Sequence, residues 1–142
     1  LRVAEMRKPE GRLLLLLYTP KPLTDTLNMQ EIHPVLKELG YPSEGTKERI
    51  AFLQHRMTLH EFPHEIGFFL GYPIKDVLGF MGLNDLPLVS GGPWKVYGDL
   101  KTSQSLAASH ATARHHIKQR LLSESAPSKL LNKKRPTLQP AA

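Results

Sequence analysis

The residues of this chain best equipped for chemistry lie between His60 and Asp99. His60-Glu61-Phe62-Pro63-His64 has the spacing in which two histidines one helical turn apart hold zinc while the glutamate serves as general base. That chemistry requires an unbroken helix across residues 60 to 64. Pro63 opposes it: inside a helix it has no N–H to donate and its ring clashes with the carbonyl of Leu59, a cost of about 3 kcal/mol. The pattern is read as a coincidence, and no metal site is expected.

A second group is more promising. His64, Glu65, Tyr72, Asp76, Lys95, Tyr97 and Asp99 are polar residues set in two densely patterned stretches, and together they form the candidate binding site. His64 beside Glu65 is the pair best suited to proton transfer. Each residue also has a structural reading. Glu65, Asp76 and Asp99 suit helix starts, where a carboxylate meets free N–H groups and the positive end of the dipole. Tyr72 suits a helix junction and Lys95 a solvent-facing strand position. Gly67 and Gly71 sit four apart, a spacing that lets another backbone approach closely. No glycine cluster follows a strand and opens a helix, so no phosphate-cradling loop is expected. Of the seven histidines, only His110 falls on an apolar stripe, as a hydrogen-bonded core residue. His115 and His116 project about 100 degrees apart on a helix and cannot chelate from one face.

These side chains must be positioned by a modest fold. With 142 residues, 40% hydrophobic and 23% charged, the chain fits one globular domain. The absence of cysteine removes disulfides, thiolate metal sites and cysteine nucleophiles. Leu13 to Leu17 is the longest apolar run, far short of the roughly 20 residues that span a bilayer, so a membrane partner is not expected. The alternating, charged first residues do not resemble a signal peptide, and the cytoplasm is the expected location.

Residues 1–7 and 12–18, joined by Lys8-Pro9-Glu10-Gly11, predict a β-hairpin whose second strand is continuously apolar and covered on both faces. Pro20 and Pro22 end it. Ile32, Val35, Leu36 and Leu39 predict a first helix, and residues 45–59 a second with Ile50, Leu53 and Met57 buried. Pro63 and Pro73 open two short helices, one burying Ile66, Phe69 and Leu70, the other ending near Gly82. Leu-Gly-Tyr-Pro recurs at Leu39 and Leu70 as a helix-stop signal. Trp94 to Tyr97 predicts a late strand, after which Asp99 caps a helix reaching about Leu122 with a thin inner stripe of Leu106, His110, Ala113, Ile117 and Leu121. The expected architecture is α+β: a small antiparallel sheet of about three strands, the hairpin plus the late strand, with about five helices packed mainly on one side. Residues 1–122 form the single domain. Residues 123–142, with Lys129, Lys133, Lys134 and Arg135 against Glu124, read as a disordered basic tail.

The stretch from His64 to Phe80, joined to Trp94-Lys95-Val96-Tyr97-Gly98-Asp99, resembles the bacterial family catalogued as domain of unknown function thirty-seven ninety-three. The resemblance covers residues 1–114. It implies an additional N-terminal helical segment, a bacterial source and no established function. Where family members carry a cysteine before the tryptophan motif, this chain has Ser90-Gly91-Gly92-Pro93, which removes a thiol-based role.

Three functional readings follow. The first is a non-catalytic module that binds a small ligand or a protein partner in a groove between the third helix and the Trp94 strand. The second is an enzyme, or a redox- or iron-linked accessory protein, using His64 and Glu65; the redox link comes from the resemblance alone. The third is weak nucleic-acid binding through the basic tail, disfavoured because no aromatic residues are interleaved there. The sequence assigns no cofactor and leaves open whether the protein is an enzyme.

Overall fold

The computed structural model describes residues 1–92 and 94–123. Strand β1 (Arg2–Arg7) and strand β2 (Leu13–Tyr18) form the expected antiparallel hairpin. Helices α1 (Pro20–Leu27), α2 (His33–Glu38), α3 (Thr46–Met57), α4 (Ile66–Phe69) and α5 (Ile74–Phe80) follow. A second, smaller hairpin of β3 (Leu88–Ser90) and β4 (Val96–Tyr97) leads into α6 (Leu100–Ser123). The α+β class is as expected, and the core lies on one side of the first hairpin. Ala4, Met6 and Leu16 pack there against Leu27 of α1, Leu36 of α2, Ile50, Leu53 and Met57 of α3, and Phe68 and Phe69 of α4.

The late strand does not extend the first hairpin. It pairs with β3, so the described residues form two two-stranded sheets rather than one of three. One edge of that hairpin is covered: α3 runs alongside β1, and the Gln54 amide donates to the Glu5 carbonyl at 2.9 Å. The extra helix is α1. Pro20 and Pro22 do not merely end β2; proline occupies the first turn, where its missing N–H costs nothing, and Leu23 and Leu27 one turn apart go into the core.

Strand register explains a second difference. Ala4 faces Leu16 and Met6 faces Leu14 on the inner side, leaving Val3 with Leu17, Glu5 with Leu15 and Arg7 with Leu13 on the outer side. The run was expected to be covered on both faces. In the structure Leu13, Leu15 and Leu17 all lie open to solvent, Leu15 at 59% exposure against 5% for Leu16. Leu16→Ala is therefore expected to cost about 2–4 kcal/mol in urea unfolding, whereas Leu15→Thr is expected to stay within about 0.5 kcal/mol of wild type.

The carboxyl-terminal helix is the least packed element. Ser103 is buried, Leu106, His110 and Ile117 are half-buried, and Ala113 and Leu121, expected on the inner stripe, are exposed. Among the described residues no helix is long and apolar enough to cross a membrane. The predicted basic tail, apart from Ser123 at the end of α6, lies outside the described residues.

Candidate functional site

The stretch that carries the zinc-like spacing is not one helix. Helix α3 ends at Met57 and α4 begins at Ile66, so His60 and His64 share no helical axis. Pro63 initiates the turn into α4, its carbonyl accepting from the Ile66 N–H at 3.1 Å.

Both copies of Leu-Gly-Tyr-Pro build the same helix end. Gly40 and Gly71 take positive φ, 87° and 72°, a conformation that favours glycine. The N–H of the following tyrosine reaches back to the last turn, Tyr41 to the Leu36 carbonyl and Tyr72 to the Gly67 carbonyl, each at 2.9 Å. Each cap thus aims a tyrosine at a buried carboxylate or its partner.

Tyr41 meets Glu65. The Tyr41 hydroxyl donates to Glu65 Oε1 at 2.7 Å and Arg56 Nε to the same oxygen at 2.5 Å. Glu65 is 1% exposed. Burial, and then the Glu65 charge, push the Tyr41 hydroxyl far above the ordinary phenol range. Glu65 therefore ties α3 and the α2 cap to α4, and its carboxylate is directed away from the surface on which His64 lies.

Asp76 anchors a second cluster. Its Oδ1 accepts from Lys75 Nζ at 2.8 Å and the Tyr97 N–H at 2.9 Å, and its Oδ2 from Trp94 Nε1 at 3.0 Å and Ser103 Oγ at 2.6 Å. Lys75 Nζ also donates to the Tyr97 carbonyl and to Ser103 Oγ, at 2.6 and 2.7 Å. Burial by itself raises the Asp76 pKa, but the hydrogen bonds from Lys75, Ser103, Tyr97 and Trp94 outweigh it, so the group sits below the usual carboxylate value. One side chain in the first turn of α5 thereby fixes the Trp94 segment, β4 and the start of α6.

The Trp94 ring, so held, stacks on Tyr72 with centroids 4.0 Å apart and planes 16° apart, and His110 of α6 packs against both. This pair forms one wall of a cleft of about 480 Å³. Phe62, Ile66, Leu70, Val77 and Phe80 supply the apolar remainder, His64 stands edge-on to Phe80 at 4.8 Å, and Lys95 Nζ lies 5.1 Å from the Phe80 centroid. Helices α4 and α5 can meet beneath it because Gly67 has no side chain; a Cβ there would lie 2.7 Å from Val77 Cγ2. The close approach at Gly67 is thus by the Val77 side chain rather than by a backbone, and Gly71 serves the helix end instead, with His110 Nε2 at 3.8 Å nearest to where a Cβ would stand.

Four of the seven candidate residues, His64, Tyr72, Asp76 and Lys95, line this cleft. The other three are elsewhere. Glu65 is in the core, Tyr97 packs its ring over Gly79, where a Cβ would come within 2.4 Å, and Asp99 caps α6 by accepting the Thr102 N–H at 2.9 Å and the Lys101 N–H at 3.2 Å. The Thr102 hydroxyl and N–H hold the Asp99 pKa low. Leu70 was expected in the core but opens onto the cleft, and Phe68 takes the buried position. Phe62, Phe80 and Trp94 stand outside the candidate set because it gathers only the polar residues of the motifs. The proline at 63 was the available signal for Phe62: a residue just before a helix-opening proline is outside that helix's buried stripe.

Two other hollows of comparable volume are differently built. One, about 470 Å³, lies at the first hairpin turn beside Lys8, Glu10 and His60; the other, about 520 Å³, is lined by Thr24, His33, Glu44 and Arg49. Arg49 is itself buried, donating to the carbonyls of Pro42, Leu27 and Ser43 and to Asn28 Oδ1. Burial lowers its pKa. Neither hollow gathers the motif residues.

A family model described as Protein of unknown function (DUF3793) matches residues 1–131. The chain belongs to this family. Its match runs past Arg114, where the motif resemblance stops, and takes in every element described above. No curated protein and no solved structure matches the chain significantly. The family carries no assigned function, so a functional reading must come from the cleft.

Proposed function

We propose that this protein is a non-catalytic binding module whose cleft, between α4–α5 and the Trp94 segment, takes a small apolar ligand. The observation that carries this reading is the convergence of Phe62, Leu70 and Phe80 on one concave surface while 43%, 40% and 44% exposed. Large apolar side chains scattered singly over a surface need no explanation, but three around a hollow of ligand size favour a binding site. The rigid far wall supports the same reading, since the Asp76 hydrogen bonds position Trp94 without help from a ligand.

Trp94 is the only tryptophan in the chain, so its fluorescence reports on the cleft alone. Titration with the neutral dye N-phenyl-1-naphthylamine is expected to change Trp94 emission saturably. Phe80→Ala is expected to weaken that binding about tenfold, the loss of one ring contact. A linear response, or one untouched by Phe80→Ala, would sink the proposal. The acid–base alternative rests on His64, which is exposed at the cleft, with Glu65 acting through the scaffold. Turnover of a bound compound that His64→Ala abolishes, with Trp94 titration unchanged, would favour it.

A further inference from the structure

We infer that the ligand of this cleft is an aryl anion, a flat ring bearing one negative group, and that Lys95 selects for the charge; the inference rests on the cleft being a ligand site. Two charged side chains line it, Asp76 and Lys95. Asp76 offers a ligand nothing, because each of its oxygens already accepts two hydrogen bonds and the Lys75 ammonium balances its charge. Lys95 is different. Its ammonium rests over the Phe80 face and, among the described residues, makes no ion pair with a carboxylate. A cation held over a ring keeps its N–H donors available to an acceptor. Lys8 sits likewise over Phe62, its Nζ 5.1 Å from the centroid, but in the neighbouring hollow, which it shares with Glu10.

The Phe80 ring at the mouth thus carries an ammonium, and among the described residues no uncompensated carboxylate lines the cleft. Such a rim favours an anionic head and disfavours a cationic one. The body of the ligand is set by the wall. Phe62, Tyr72, Phe80 and Trp94 all border the cleft, an aromatic lining suited to a planar ring.

The test compares 1-anilinonaphthalene-8-sulfonate with N-phenyl-1-naphthylamine, which has the same aromatic body and no charge, both followed through Trp94. The sulfonate is expected to bind about tenfold tighter at low ionic strength, and the preference to shrink as salt is added. Lys95→Met, which keeps the aliphatic stem, is expected to bring the ratio of sulfonate to neutral-dye affinity to about one. Lys95→Arg is expected to keep the preference. Equal affinity for the two dyes, or a preference that survives Lys95→Met, overturns the inference and leaves the binding cleft standing. Failure of both dyes to reach Trp94 overturns the cleft and the inference together.

Discussion

Replacing Asp76 with asparagine is expected to cost about 3 kcal/mol or more and to shift Trp94 emission to the red. Asparagine has nearly the same shape, but its amide presents two donors where four donors already converge, so partners such as Trp94 Nε1 or Ser103 Oγ lose their acceptor and Lys75 loses its counter-charge. The effect reaches the cleft because Asp76 is the group that holds Trp94. The same carboxylate gives stability a defined pH dependence. Its folded pKa lies below the unfolded value of about 3.9, so its contribution is fully present above that value and disappears as pH falls through the lower, folded one. Urea unfolding of wild type and Asp76→Asn is therefore expected to differ most at neutral pH, with the gap closing below about pH 4. A constant gap down to the lowest accessible pH would mean that Asp76 acts through shape rather than charge.

Glu65→Ala is the second large effect, expected at about 3–5 kcal/mol. Removing this carboxylate strands the Tyr41 hydroxyl in the core and leaves Arg56 without its counter-ion. Tyr41 also packs against Phe52 and Phe69, with centroids 4.6 and 5.8 Å away, so the empty space opens into the main core. The triple variant Tyr41→Phe, Arg56→Met and Glu65→Leu is expected to recover much of the loss, since well-packed apolar side chains can replace a buried ion pair and its hydrogen-bonded hydroxyl at little net cost. A loss below about 1 kcal/mol for the single variant would show that water reaches Arg56 and Glu65 and screens them.

How much of this was legible in the chain depends on which physical signal each residue carried. Proline 63 gave the break between α3 and α4 and removed the zinc reading, because the cost of proline inside a helix depends on little else. The repeated Leu-Gly-Tyr-Pro gave both helix ends for the same reason, glycine being suited to the backbone angle that the caps require. Helix α1 was missed because Pro20 and Pro22 stop a strand and start a helix with equal ease; Leu23 and Leu27 were the signal that distinguished the two. Strand β3 is three residues long, too short to show alternation.

The leucine run shows a different limit. With Leu at every position from 13 to 17, composition says nothing about which side is inward, and only pairing with Ala4 and Met6 decides it. In the site, the motif residues could be named, but not their partition. Glu65 and His64 are adjacent in sequence, yet one carboxylate ends under Tyr41 and Arg56 while the imidazole lies in the open cleft. Arg49, Arg56 and Lys75 were invisible as buried or half-buried cations because a charged residue on a helix normally marks its solvated face.

Among the described residues, the long helix α6 is fastened mainly near its start. Over 24 residues, about 36 Å at 1.5 Å per residue, its firm attachments are Ser103 and, two turns on, His110 against the Tyr72 and Trp94 rings. Past that point Ile117 and Arg120 are its half-buried residues, and persistence depends on good helix formers such as Ala111, Ala113, Arg114 and Leu121. Among the described residues its fulcrum is therefore the back of the cleft, and a load applied beyond His110 is delivered to the tryptophan that a ligand would touch.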